Sequence, residues 1–347
     1  MYLVKVQEMR GVAAFLVTLT HFNYLFNVVP YFNSSIGVDI FFIISGFLMA
    51  YILEKKKYKA GEFLSRRILR IIPLYFICTL FIVFLKILSG QDFNIYDSIR
   101  SFLFYPFIGN EWNDLIIAPG WTLVFELFFY VLVLIKIIWN KNGFLYLALV
   151  WIPIIFIYES INIDYRINIL NVLFNSLNIE FLYGVLAYYL YKNISFNIFS
   201  LKIIFIFSFI CLLLLSLYSD DSVSFELIPR DTIYISGISF PRFITWGIPA
   251  FLFFISFVNL KSRSKILENI GEWSYSLYLL QYIFIGLLSK FLIFLEINIE
   301  NYSVFLRLFF LLISLIAILL ISKLSYTFIE VKIDKKIKKV LTRINSF

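Results

Sequence analysis

The sequence predicts an all-α, polytopic membrane protein with about ten transmembrane helices and both termini on the cytoplasmic side. Three observations predict it. Apolar residues make up 61% of the 347 and charged residues only 15%, with a mean hydropathy of +0.90, which no water-soluble domain of this length shows. Apolar runs long enough to cross ~30 Å of hydrocarbon, at ~1.5 Å per residue, recur along the whole chain. Lysine and arginine gather in the loops this threading puts inside, which is the asymmetry that orients a membrane protein.

The runs fall at 9–29, 36–54, 69–89, 119–139, 143–159, 177–192, 200–218, 242–258, 274–296 and 304–326. The first keeps an arginine and a histidine and lacks a small-residue cleavage site, so it is expected to stay as a spanning helix rather than leave as a signal peptide. The second opens with GVDIFFIISGF (37–47), whose Ser45 and Gly46 offer a small surface for close packing. The third follows the largest inner basic cluster, EKKKYKAGEFLSRRILR (54–70), and the fourth starts PGWTLVFELFFY (119–130), with Pro119 suited to a first turn. The fifth and sixth are short and interrupted by polar residues. The stretch 98–108 reads as re-entrant or interfacial. An even count puts both ends on one side, where the tail VKIDKKIKKVLTR (331–343) is also basic.

No repeat at 20–50 residues stands out, and the loops are too short for a second domain. The organisation expected is therefore one membrane domain over 1–330 and a basic cytoplasmic tail over 331–347. The net charge of +8 is an orientation signal with no nucleic-acid module behind it. Cys78 and Cys211, both within apolar runs, can build neither a disulfide framework nor a metal cage, so no metal is expected.

The polar residues inside these helices carry the functional reading. His21 is the only histidine and follows Arg10 by eleven positions, almost three turns, which puts both on one face ~16 Å apart. Arg10 then stands at the inner mouth and His21 near mid-membrane, where an ionisable group needs a cavity or a partner. A neutral histidine bonded between helices is the plain alternative. Asp39 is expected either to approach His21 and fix its tautomer or to cap the second helix. Glu126 is expected to bind a sugar hydroxyl, assist His21, or balance a membrane arginine such as Arg242. Arg66, Arg67 and Arg70 suit a phosphate-bearing cytoplasmic ligand, though basic residues here also serve orientation and lipid headgroups. Tyr275, Tyr278 and Tyr326 read first as interface or packing tyrosines. Glu330 is expected to pair with an inner arginine, and Ser45 to be a packing serine with a covalent role as the rival.

Taken together and in order, the RG with histidine eleven after the arginine, GVDIFFIISGF, FLSRRILRIIPLY, PGWTLVFELFFY, FLYG (181–184), RFITWGIPA (242–250), WSYSLYLLQ and SYTFIE (325–330) resemble the acyltransferase 3 family across nearly the full length. The resemblance implies a bacterial inner-membrane enzyme moving an acyl group, usually acetyl from acetyl-CoA or another acyl-CoA, to a hydroxyl of a surface polysaccharide or related glycan. It implies that the site includes Arg10 and His21, Arg66, Arg67 and Arg70, and Trp121 and Glu126. With the reading of the residues beside it, His21, Glu126 and Asp39 are the expected catalytic groups, Arg10, Arg66, Arg67 and Arg70 the expected acyl-CoA contacts, and Trp121 and Tyr326 the expected substrate contacts. One departure is Gln281, where many relatives carry a histidine. Some relatives also add a soluble hydrolase-like domain, whereas seventeen residues follow Glu330 here; the chain is expected to act alone or with a separate partner. Expected partners are cytoplasmic acyl-CoA, an extracytoplasmic glycan and membrane lipids. The rival class is a transporter or flippase for a lipid-linked sugar, which repeat symmetry and broken helices in two halves would favour.

Overall fold

The structure is a computed structural model; it describes residues 3–29, 36–90, 94–105, 107–108, 111–112, 115–139, 142–160, 168–218, 232–235 and 238–336. Fourteen α-helices are found among them: α1 (Val4–Phe26), α2 (Ile36–Lys55), α3 (Ala60–Leu88), α4 (Ile95–Phe102), α5 (Gly120–Trp139), α6 (Gly143–Glu159), α7 (Asn168–Leu173), α8 (Ile179–Asn193), α9 (Ile198–Tyr218), α10 (Arg242–Thr245), α11 (Gly247–Asn259), α12 (Lys265–Glu272), α13 (Ser274–Phe294) and α14 (Val304–Ser325). Two short antiparallel hairpins, β1 (Phe107–Ile108) with β2 (Glu111–Trp112) and β3 (Thr232–Ile235) with β4 (Ile238–Pro241), follow α4 and α9. All-α and polytopic is thus what forms. All ten predicted runs fall on helices. Eight helical stretches are long and apolar enough to cross a membrane. The other two runs are α1, with 23 residues, and α6, with only 17.

Local chemistry sets the helix ends. Asn27 takes the left-handed conformation (φ 45°) and returns its N–H to the Asn23 carbonyl, closing α1, as a short polar side chain permits. Asn94 caps α4, Ser264 caps α12 and Ser303 caps α14 through side-chain oxygens, each satisfying an orphan amide. The third helix starts nine residues before the predicted run, so Arg66, Arg67 and Arg70 project from within a helix rather than precede one. After α14 the chain passes through one π-helical stretch, Tyr326–Glu330, and continues helically to Lys336. The rest of the predicted tail, 337–347, and most of the predicted outer loop 219–241 lie outside the described residues.

α2 is the central helix, 67% of its apolar window being buried against 17% for α9. It packs against α1, α5, α8 and α11. Its closest neighbour is α8, because Gly46 and Gly184 face each other's backbone. A Cβ on Gly46 would overlap the Phe181 carbonyl, and one on Gly184 the Ile43 carbonyl. With no hydrophobic drive between helices in lipid, such backbone approach is what holds them. Gly46→Leu is therefore expected to force α2 and α8 apart at about 3 kcal/mol or more. Loss of the monodisperse peak of detergent-extracted protein would show it, and a wild-type melting temperature would refute it.

A second glycine pair joins α1 to α12, with Gly11 against Gly271. Buried Glu8 ties the same junction, accepting from Lys5 Nζ at 2.7 Å and from the Ser264 amide at 2.9 Å. On α12 the Arg263 guanidinium holds the Glu268 carboxyl below the usual carboxylate range.

Candidate active site

α1 and α3 meet at a wide vestibule of about 660 Å³. Arg10, Arg66, Arg67 and Arg70 line it together with Glu272, Glu330, Asp334 and Tyr326. Arg10, Arg67 and Arg70 also line a smaller chamber of about 80 Å³ that runs deeper between α2, α5 and α13. These three arginines are thus the passage from one space to the other. Among the described residues none of them has a carboxylate within 4.0 Å, whereas Arg66 is taken by Glu62 at 3.1 Å. Arg67 is held by rings instead, its guanidinium carbon 5.8 Å from the Phe63 centroid and 5.9 Å from that of Tyr130.

The chamber is polar along one side. Ser45 Oγ donates to Glu126 Oε1 at 2.9 Å, and the Tyr130 hydroxyl donates to the same oxygen. The helical spacing of Glu126 and Tyr130, four apart on α5, makes that second bond possible. Ser274 Oγ, buried and without a partner, lines the chamber as well. At the far end the Tyr278 hydroxyl donates to the Pro119 carbonyl at 2.9 Å and shares a 2.8 Å bond with Thr122 Oγ1. Phe41 packs edge-on to Tyr278, with centroids 6.0 Å apart. Ser45 is thus more than a packing residue, and the tyrosines 130, 275 and 278 belong to the chamber wall. The sequence holds no signal for Ser45, because a small residue beside a glycine has the same pattern whether it packs or binds.

Several expectations are corrected. Asp39 does not serve His21: both its oxygens are taken by Arg242, whose Nε reaches Oδ1 at 2.9 Å and Nη2 reaches Oδ2 at 2.7 Å. The pair is buried, with Asp39 0% exposed, and Arg242 also lies 4.7 Å from the Trp246 ring centroid. Arg242 is therefore balanced by Asp39 and not by Glu126. A bidentate guanidinium satisfies both oxygens of a carboxylate better than an imidazole, which offers one N–H. Glu330 lines the arginine vestibule but accepts from Ser276 Oγ rather than from an arginine. Tyr326 also lines that vestibule, together with the arginines. Trp121 packs edge-on against Phe42 and Phe125 and lines neither cavity.

His21 also lines neither cavity. It lies about one helix turn short of the end of α1, its Nδ1 buried without a hydrogen-bond partner and the residue as a whole part-exposed. Phe41 stands between the two regions, packing both on the central core and on the cluster that holds Phe22 and Leu277.

A vestibule that narrows past Arg10, Arg67 and Arg70 into a partly polar chamber, within a bundle of long apolar helices, defines a multi-pass membrane protein with an internal cavity. Residues 6–324 match the family described as an acyltransferase domain, and the chain belongs to this acyltransferase 3 family. It is similar to the exopolysaccharide production protein ExoZ of Rhizobium meliloti (strain 1021), 35% identical over 102 residues, which are 27% of this chain and 31% of that protein. It is also similar to protein 2 in the picA locus of Rhizobium radiobacter, 40% identical over 70 residues, 19% of this chain and 36% of that protein. The matched stretches thus span about a third of each relative. No solved structure matches the chain.

Proposed function

We propose that this protein is a bacterial inner-membrane O-acyltransferase that moves an acetyl group from cytoplasmic acetyl-CoA to a hydroxyl of a surface polysaccharide. The observation that carries the reading is the ring of Arg10, Arg67 and Arg70, without carboxylate partners, at the junction of vestibule and chamber. Guanidinium forks left unneutralised in a low-dielectric site call for a polyanion, and phosphates accept them bidentately. Glu272, Glu330 and Tyr326 of the same vestibule suit ribose and base groups that donate hydrogen bonds. Membership of an acyltransferase family and likeness to an exopolysaccharide production protein support the reaction and the acceptor class.

In this scheme the phosphates stay on the arginines while the thioester arm enters the chamber, its amides met by Ser45, Glu126 and Ser274. The acyl carbon passes the Phe41 ring to reach His21, where the acceptor hydroxyl arrives from the outer side. Neutral His21 takes the hydroxyl proton as the oxygen attacks the acyl carbon; the C–S bond then breaks and the thiolate takes that proton from the imidazolium. One ester and one thiol replace one thioester and one hydroxyl.

The decisive experiment mixes purified protein in nanodiscs with acetyl-CoA and alkali-treated surface polysaccharide from the source cells. Release of free CoA thiol with acetyl gain on the glycan is expected. Glycan movement without thioester consumption would instead make the protein a transporter. Arg67→Ala and Arg70→Ala should each raise KM for acetyl-CoA about 10–100-fold, the loss of one charged hydrogen bond. Lysine replacements should recover little of it, because an ammonium cannot reproduce the fork. An unchanged KM in both alanine variants would remove the donor site from this vestibule.

A further inference from the structure

Two buried polar side chains lack hydrogen-bond partners where α1 meets α13. One is His21, at Nδ1; the other is Gln281, 0% exposed, with neither amide atom partnered. An unpartnered buried amide is destabilising, and in hydrocarbon there is no water to relieve it.

The register of the helices brings these groups to one depth. Gly11 rests on Gly271, where a Cβ on Gly11 would stand 3.0 Å from the Gly271 nitrogen. Further along both chains the Phe22 and Phe284 rings meet at 5.8 Å, so the two segments run in the same direction. His21 adjoins Phe22 on α1 and Gln281 stands three residues before Phe284 on α13, so both lie within about one helix turn of that ring contact. Leu277 and Phe284, four before and three after Gln281, both pack in the cluster that contains Ala14 and Phe22. The strip of α13 that carries Gln281 therefore faces α1.

We propose that Gln281 is the positioning residue of His21: its amide oxygen takes the Nδ1–H of the imidazole, leaving Nε2 bare to accept the hydroxyl proton. The assignment rests on the reading of His21 as the base. It fills the role expected of Asp39, which Arg242 occupies. A neutral amide suits this depth better than a carboxylate, since it needs no counter-charge in hydrocarbon. Such bonds are often long or misaligned in an unloaded site and tighten when substrate binds. The competing partner is the Val17 carbonyl, which lies near the ring without making a hydrogen bond of good geometry.

Because His21 is the only histidine, ring-¹⁵N histidine labelling of the full chain in nanodiscs yields one imidazole, and its nitrogen shifts report the tautomer directly. Wild type is expected to hold the Nδ1–H form when acetyl-CoA is present, against the Nε2–H preference of free histidine. Gln281→Leu should move it toward Nε2–H and lower kcat on the order of tenfold or more, since a base in the wrong tautomer cannot accept the proton. KM for acetyl-CoA should stay within about twofold. The melting temperature should hold or rise, because two orphaned polar atoms are gone. Gln281→Glu, which keeps an acceptor oxygen at the same reach, should retain the Nδ1–H form and most of the turnover. Gln281→Met serves as the apolar replacement should the leucine variant not fold.

An Nε2–H wild type, or the same tautomer in the leucine or methionine variant, overturns the assignment; the second result would leave the Val17 carbonyl in charge. A glutamine-dependent tautomer in a wild type that transfers no acetyl group would sink the functional reading and leave the positioning contact standing.

Discussion

His21→Ala is expected to lower acetyl transfer about 10²–10⁴-fold, the usual worth of a positioned general base. Acetyl-CoA binding should be nearly unchanged, because the imidazole lines neither the vestibule nor the chamber. The effect therefore belongs in kcat, with KM for the donor held, which is the signature of an interaction made only as the reaction proceeds. Measuring CoA release against donor concentration for both proteins checks it. Removal of the side chain should not unfold the protein, since Nδ1 makes no hydrogen bond that would be lost. Undiminished transfer by the alanine variant would rule out the direct scheme. A labelled acyl-protein trapped with donor alone would turn attention to Ser45, whose hydroxyl already donates to Glu126.

Asp39→Ala is expected to fail in a different way. It breaks the bidentate pair of Arg242, only 6% exposed and packed on the Trp246 ring, and leaves the neighbouring buried Glu180 as the carboxyl nearest the broken pair. Breaking a buried pair by removing one partner typically destabilises by about 3–5 kcal/mol, a large share of the roughly 5–15 kcal/mol that holds a domain together. The loss should appear as missing folded protein in the membrane and a lowered melting temperature, with activity falling only in proportion. The double variant Asp39→Leu/Arg242→Met is expected to recover much of the stability, because apolar replacements of a buried pair are often neutral or better. A folded Asp39→Ala protein with a wild-type melting temperature and no turnover would restore the carboxylate to the reaction.

How far the sequence reaches depends on which physical quantity is being asked for. Asp39 and Arg242 are 203 positions apart, and the membrane depth of Asp39 allowed His21 or a helix cap equally well. Depth follows from one-dimensional counting along a helix. Azimuth and partner do not. The gathering of Arg67 and Arg70 at one cavity was legible because three arginines within five positions are themselves the signal. Ser45 was not, because it acquires its bond only from Glu126 on another helix.

By itself, the sequence determined that this chain lives in a membrane, where its ten helical runs fall, and that an arginine cluster and a lone histidine lie within or beside them. Those follow from transfer free energy and helical periodicity, which act locally along the chain. Tertiary structure alone decided that Arg242 claims Asp39, that three arginines guard a chamber holding Ser45 and Glu126, and that His21 and Gln281 share one depth. Backbone contacts at Gly46 with Gly184 and at Gly11 with Gly271 set those registers, and a shift of a single helix turn, ~5.4 Å, would have exchanged every partner.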